Sequence, residues 1–213
     1  MENKNIFTEV YDRFLKYYGF QNWWPVHKGI DRFLEVSIGA ILTQNTNWKN
    51  VERAIENLIT AKVLNWESLG KIEEEKLKEL IKPAGFYNQK AKYIKSFVKN
   101  IKGKNKEEIT RKFLLSIKGI GKETADSILL YGLDKPYFVI DAYTKRIFSR
   151  IGIIEKDIEY DNLQLIFKEN LPESIEIYKE YHALIVEHGK NICRKKPECS
   201  ECILKDICSK IID

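Results

Sequence analysis

All four cysteines of the chain fall between positions 193 and 208, as Cys193, Cys199, Cys202 and Cys208, in the order C-x5-C-x2-C-x5-C. Thiols so concentrated constrain the fold more than any other feature. They end either as disulfides or as the ligands of one metal centre that closes this stretch into a compact loop. Disulfides are the weaker expectation. The opening Met1-Glu-Asn-Lys-Asn5 lacks the basic-then-apolar order of a secretory signal. A chain of 213 residues can also bury a core without staples. Four thiolates suit either a 4Fe-4S cluster or a structural zinc. Spacing alone does not separate the two. Only Cys199 and Cys202 are as close as a zinc knuckle requires, and this favours the cluster.

With 44% hydrophobic residues the chain has material for one large domain or two small ones. Its longest apolar runs, such as Val36 to Leu42, are too short to span a bilayer. A soluble, cytoplasmic monomer with no membrane partner is expected. The formal charge of +5 and pI near 8.8 are compatible with nucleic acid without requiring it.

Helical periodicity runs along the chain. Leu34, Ile38, Ile41 and Leu42 share one face, as do Val51, Ala54, Ile55 and Leu58. Thr144, Ile147, Phe148 and Ile151 make another stripe, and Ile177, Tyr181, Leu184, Ile185 and His188 a longer one. The one strand-like run, Tyr137 to Ile140, is short and follows Pro136, so it reads as an extended connection into a helix. The pattern predicts an all-α fold of about ten helices with short loops. Gly132-Leu-Asp-Lys-Pro136 is the clearest internal joint.

The segment Leu114 to Asp126 reads Leu-Leu-Ser-Ile-Lys-Gly-Ile-Gly-Lys-Glu-Thr-Ala-Asp. Gly119 and Gly121 flank Ile120 between two helical stretches. Two glycines so placed allow a tight turn and close approach of another backbone. Ile120 can then drop into the core, leaving the amides of Gly119, Gly121 and Lys122, with Lys118 beside them, to hold a phosphate. The plainer reading is an ordinary helix joint with a C-capping glycine. The longer pattern, aliphatic-x-Gly-aliphatic-Gly-x-x-Thr-Ala, resembles the helix-hairpin-helix motif of DNA-binding proteins.

Hairpin, then Val139-Ile-Asp141, then His188-Gly-Lys-x-x-Cys193 and the cysteine loop occur in one order. That order resembles the endonuclease III family of base-excision DNA glycosylases, over most of the chain from Ile38-Gly-Ala-Ile-Leu-Thr-Gln44 to Cys208. The resemblance implies two all-α lobes. A six-helix lobe would occupy residues 31–135, with the hairpin at about 112–131. Residues 1–30 and 136–213 would form the cluster lobe, and duplex DNA with a damaged base would lie across the cleft. Lys190 and Arg194, near the cluster loop, would add phosphate contacts weakened by salt. A monovalent cation in the hairpin is a further expectation from the resemblance.

Asp141 maps onto the family's essential carboxylate. Breaking an N-glycosidic bond develops positive charge on the sugar, which a carboxylate stabilises while it orients or deprotonates water. As sequence alone, Asp141 also reads as the N-cap of the following helix. The two roles are compatible. Two departures from the family pattern stand out. Bifunctional members carry a nucleophilic lysine where this chain has Glu123, with Lys122 one residue early. The expected enzyme is therefore monofunctional, without lyase activity. Five residues, rather than the more usual six, separate the first two cysteines.

For the lesion pocket, Trp23-Trp24-Pro25 and Trp48 resemble the branch that excises 3-methyladenine and related alkylated purines, which also carries Gly-Ile-Gly-Lys-Glu in its hairpin. A cationic purine stacks well on electron-rich rings. Core packing is the plainer role for each tryptophan. Tyr143 reads as a pocket wall or as packing against a helix, and Gln44 as the side chain that fills the gap left by the flipped base. Two other functions are weighed beside this one. They are a glycosylase for mismatched thymine, uracil or an oxidised base, and a non-catalytic DNA-binding protein.

Overall fold

The computed structural model describes residues 5–211, which form eleven α-helices and no strand. In chain order these are α1 (Ile6–Tyr18), α2 (Arg32–Thr43), α3 (Trp48–Thr60), α4 (Trp66–Lys71), α5 (Glu74–Ile81), α6 (Tyr87–Ile101), α7 (Arg111–Ser116), α8 (Lys122–Ser127), α9 (Ala142–Ile151), α10 (Tyr160–Asn170) and α11 (Ile175–Asn191). Tyr137 to Ile140 is an irregular connection into α9, as its proline implied. The all-α reading therefore holds.

Local chemistry starts most of these helices. Asn5, Asp31, Asn47, Asn65, Thr110, Asp141 and Ser174 each stand at an N-cap and accept a backbone N–H from the first turn. Such caps satisfy donors that a helix cannot bond internally, and each is worth about 1 kcal/mol.

The chain divides into two compact units. One holds the chain up to Trp23 and again from Pro136 onward. Its core is aromatic. Phe7 stacks on Phe148 with centroids 5.4 Å apart, and Phe138 on Phe167 at 4.2 Å. Tyr181, fully buried, donates its hydroxyl to the Phe7 carbonyl at 2.8 Å and so ties α11 to α1.

The other unit runs from Trp24 to Lys135. Helix α2 is its axis, buried continuously from Leu34 to Leu42. A boundary after residue 30, expected from sequence, falls inside this unit. The reason is Trp24. A Cβ on Gly39 of α2 would meet its ring at 2.9 Å, so the indole fills the space that glycine leaves. Trp24 also meets Trp48 edge-on at 4.9 Å and Tyr131 at 5.3 Å. Residues 24–30 are thus held to α2. Buried Glu35 adds to this by accepting the His27 amide at 2.9 Å.

Candidate active site

The N-cap of α9 sets the first piece of chemistry. Oδ1 of Asp141 accepts the Thr144 amide at 2.7 Å and its hydroxyl at 2.8 Å. One carboxylate oxygen is committed to the helix. The other, Oδ2, lies 3.6 Å from Nε2 of His182 on α11. The Asp141 side chain is only 11% exposed. Burial pushes its carboxyl up, but His182 and the two Thr144 donors outweigh this and hold it below the usual aspartate value. The group stays ionised although it is buried.

Trp23 completes this arrangement. Its ring stacks on the His182 imidazole, with centroids 5.5 Å apart and planes 23° from parallel. Lys190 lies over the same indole, 6.0 Å from its centroid. The backbone before Trp23 is held as well. Buried Glu180 accepts the amides of Gln21 and Asn22. Tyr143 packs rather than projects. A Cβ on Gly189 would come within 2.4 Å of its ring, and the Arg146 guanidinium lies 4.9 Å from its centroid. Trp24 and Trp48 belong to the other unit, in the cluster around Gly39, and Pro25 is exposed.

In the hairpin, α7 and α8 are joined by a turn in which the Ile120 amide bonds the Ile117 carbonyl at 3.0 Å. Ile120 is buried, as its position between two glycines implied. Gly119 adopts φ +91°, and a Cβ there would meet the Tyr93 ring at 2.2 Å. Gly121 is an extended N-cap with open space around it. Lys118, Gly121 and Glu123 are exposed and Lys122 half-buried. Beneath the turn, Arg111 of α7 grips fully buried Asp126 of α8 through two bonds, of 2.7 and 3.1 Å. Gln44 is drawn to this loop, donating to the Gly119 carbonyl at 2.9 Å and the Thr124 hydroxyl at 3.1 Å. As placed, it braces the hairpin.

Cys193, Cys199, Cys202 and Cys208 line one open pocket of about 290 Å³, together with Arg150 and Ile192. Among the described residues, no three His, Cys, Asp or Glu side chains are grouped closely enough to hold a single metal ion. A cluster is a larger body that takes four cysteines around it. The donors fit such a group. An Arg150 N–H points at Cys193 Sγ, the Leu204 amide at Cys202 Sγ and the Lys210 amide at Cys208 Sγ, each at 3.4 Å. N–H groups aimed at sulfur suit thiolate ligands. Arg194 is exposed and paired with Glu198.

Sequence reasoning missed His182, Glu180 and Tyr93. The signal for His182 was a histidine set among Tyr181, Ala183, Leu184 and Ile185 in α11. Its partner lies on another helix, so no local spacing reports it.

A model of the HhH-GPD superfamily of base excision DNA repair proteins matches residues 38–173. A Methanocaldococcus jannaschii protein, provisionally named a DNA repair glycosylase, is 54% identical over 97% of this chain and 98% of its own length. Endonuclease III of Thermotoga maritima is 32% identical over 85% and 84%. Among solved structures, the Helicobacter pylori 3-methyladenine DNA glycosylase bound to 1,N6-ethenoadenine is 33% identical, with a TM-score of 0.77 over 86% of this chain and 97% of that one. With hairpin and aspartate in place and likeness along nearly its whole length, the chain belongs to the HhH-GPD superfamily of base excision DNA repair glycosylases.

Proposed function

We propose that this protein is a monofunctional DNA glycosylase that removes an alkylated purine, such as 3-methyladenine, from duplex DNA. The observation that carries the reading is the Asp141 carboxylate, buried yet held ionised with Oδ2 outside the capping bonds. As the glycosidic bond breaks, its electron pair leaves with the base and positive charge grows on the sugar. A fixed carboxylate stabilises that charge and takes up or directs the proton of the attacking water. An alkylated purine is already cationic, so it leaves as a neutral base without an acid. Glu123 stands where bifunctional relatives carry a lysine, so water is the nucleophile and an abasic site the product. Trp23, close to Asp141 through His182, offers an electron-rich ring to an electron-poor base. Likeness to the 3-methyladenine enzyme supports this lesion class.

DNA is held by its phosphates in this reading. The hairpin supplies backbone amides and Lys118 and Lys122. Lys190 and Arg194 add charge, Arg194 by exchanging Glu198 for phosphate. Cys193, Cys199, Cys202 and Cys208 would hold a 4Fe-4S cluster that stabilises their loop.

A panel of duplexes, each with one lesion, tests the proposal. Base release is expected from methylated DNA, with strands intact until alkali is added and no adduct trapped by borohydride. A second reading is supported by the endonuclease III relatives at similar identity. It assigns excision of a mismatched or oxidised base to the same Asp141. Release of such a base, with methylated DNA untouched, would establish it instead.

A further inference from the structure

We propose that His182 is the positioning residue of the catalytic carboxylate, its Nε2–H holding Oδ2 of Asp141 while Trp23 fixes the plane of the imidazole. This rests on the glycosylase reading and adds a residue to it.

Oδ1 of Asp141 is taken up by Thr144, so the rotation of the carboxylate about its last bond is decided at Oδ2. The group that stands there is Nε2 of His182, at 3.6 Å. His182 is itself buried, 5% exposed, in a helix whose neighbouring residues Tyr181, Ala183, Leu184 and Ile185 are apolar or aromatic. A polar ring in that setting is costly unless its nitrogens are used. Trp23 covers the face of the ring, and Glu180, two residues earlier on α11, anchors the amides before Trp23. Helix α11 thereby supplies both the anchor of the Trp23 segment and the ring at Oδ2 of Asp141. A carboxylate free to turn spends part of its time misaligned with the anomeric carbon, and a 1 Å misplacement can cost about 10²-fold in rate.

The test uses two substitutions with opposite losses. His182→Phe keeps a ring against Trp23 and removes the donor. His182→Gln places an amide N–H near the position of Nε2 and loses the stack. Single-turnover base release from methylated duplex DNA, or from whichever lesion the wild type excises, is measured beside binding to a duplex with an abasic-site analogue. In His182→Phe, release is expected to fall roughly 10²-fold with binding unchanged. His182→Gln is expected to recover most of the rate. A merely structural histidine would give the reverse order, since Phe preserves packing better than Gln. Asp141→Asn runs in parallel. If the wild type releases no base from any lesion, the glycosylase reading fails; if Asp141→Asn releases base at the wild-type rate, Asp141 is not the catalytic carboxylate. If Asp141→Asn is inactive while His182→Phe stays within twofold of wild type, the present inference is overturned. Should neither His182 variant fold, nitrogen NMR of the wild-type imidazole decides. Nε2 is expected to carry a proton, and a ring protonated on Nδ1 alone would overturn the assignment.

Discussion

Each unit buries an aspartate, and the two are used in opposite ways. Asp126 in the hairpin unit is fully buried, and Arg111 bonds both of its oxygens. Asp141 in the other unit is slightly exposed, and its cap engages only Oδ1. The first carboxylate is saturated and holds α7 to α8. The second leaves Oδ2 outside its capping bonds, as the proposed catalytic role requires. Burial alone does not distinguish a structural acid from a catalytic one. What distinguishes them is the set of donors that each oxygen has already met. Lys90 of α6 makes a third case. It is buried, and its amine donates to the Leu42 and Ala84 carbonyls at 2.8 Å. Burial lowers its pKa to about 8.

The largest effect should come from Asp141→Asn. Loss of the charge should slow base release by about 10³-fold, or about 4 kcal/mol of barrier. Asparagine caps a helix as well as aspartate, so thermal unfolding should barely move. A large drop in melting temperature would make Asp141 resemble Asp126.

Arg111→Leu should do what Asp141→Asn does not. It takes the guanidinium away from buried Asp126, at a cost of about 3 kcal/mol in denaturant unfolding, and the double replacement by apolar residues should regain much of it. A fall in stability below 1 kcal/mol would show that Arg111 is not what sustains that charge.

Lys90 supplies the pH test. Between pH 8 and its ordinary value of 10.5, the unfolded chain binds a proton that the folded chain does not. Stability therefore rises with pH across this window, and the penalty is present in full below it. The rise is at most about 3 kcal/mol. Lys90→Met should abolish it. Identical pH profiles for the two proteins would mean that the amine finds solvent.

The two hairpin glycines give the smallest effects. Gly119→Ala forces a Cβ onto Tyr93 at positive φ and should cost about 2 kcal/mol. Gly121→Ala meets open space and should change stability by less than about 0.5 kcal/mol. Both should weaken binding to every duplex alike, because phosphates carry no sequence information. Loss confined to one lesion would separate this loop from the phosphate backbone.

Features written in short spacings were legible from the chain itself. The helices follow from period and caps, and the buried Ile120 follows from its flanking glycines. Asp141 at the start of α9 follows from its place ahead of an apolar stripe. The cysteines declare a shared pocket by their density. The partners of Asp141 were not legible in the same way. Trp23 and Trp24 are adjacent in sequence, yet the chain passes from one unit to the other between them. One indole stacks on His182 and the other fills the gap over Gly39. Gln44, read as a wedge, is placed as a brace for Gly119. Such contacts join distant positions, and the choice among them depends on which helix faces meet. Sequence by itself determined the elements and the residue types the chemistry requires, because period, capping and turn preference act within a few residues. Only the tertiary structure decided that His182 stands at the free oxygen of Asp141, because that choice is made by packing between α9 and α11.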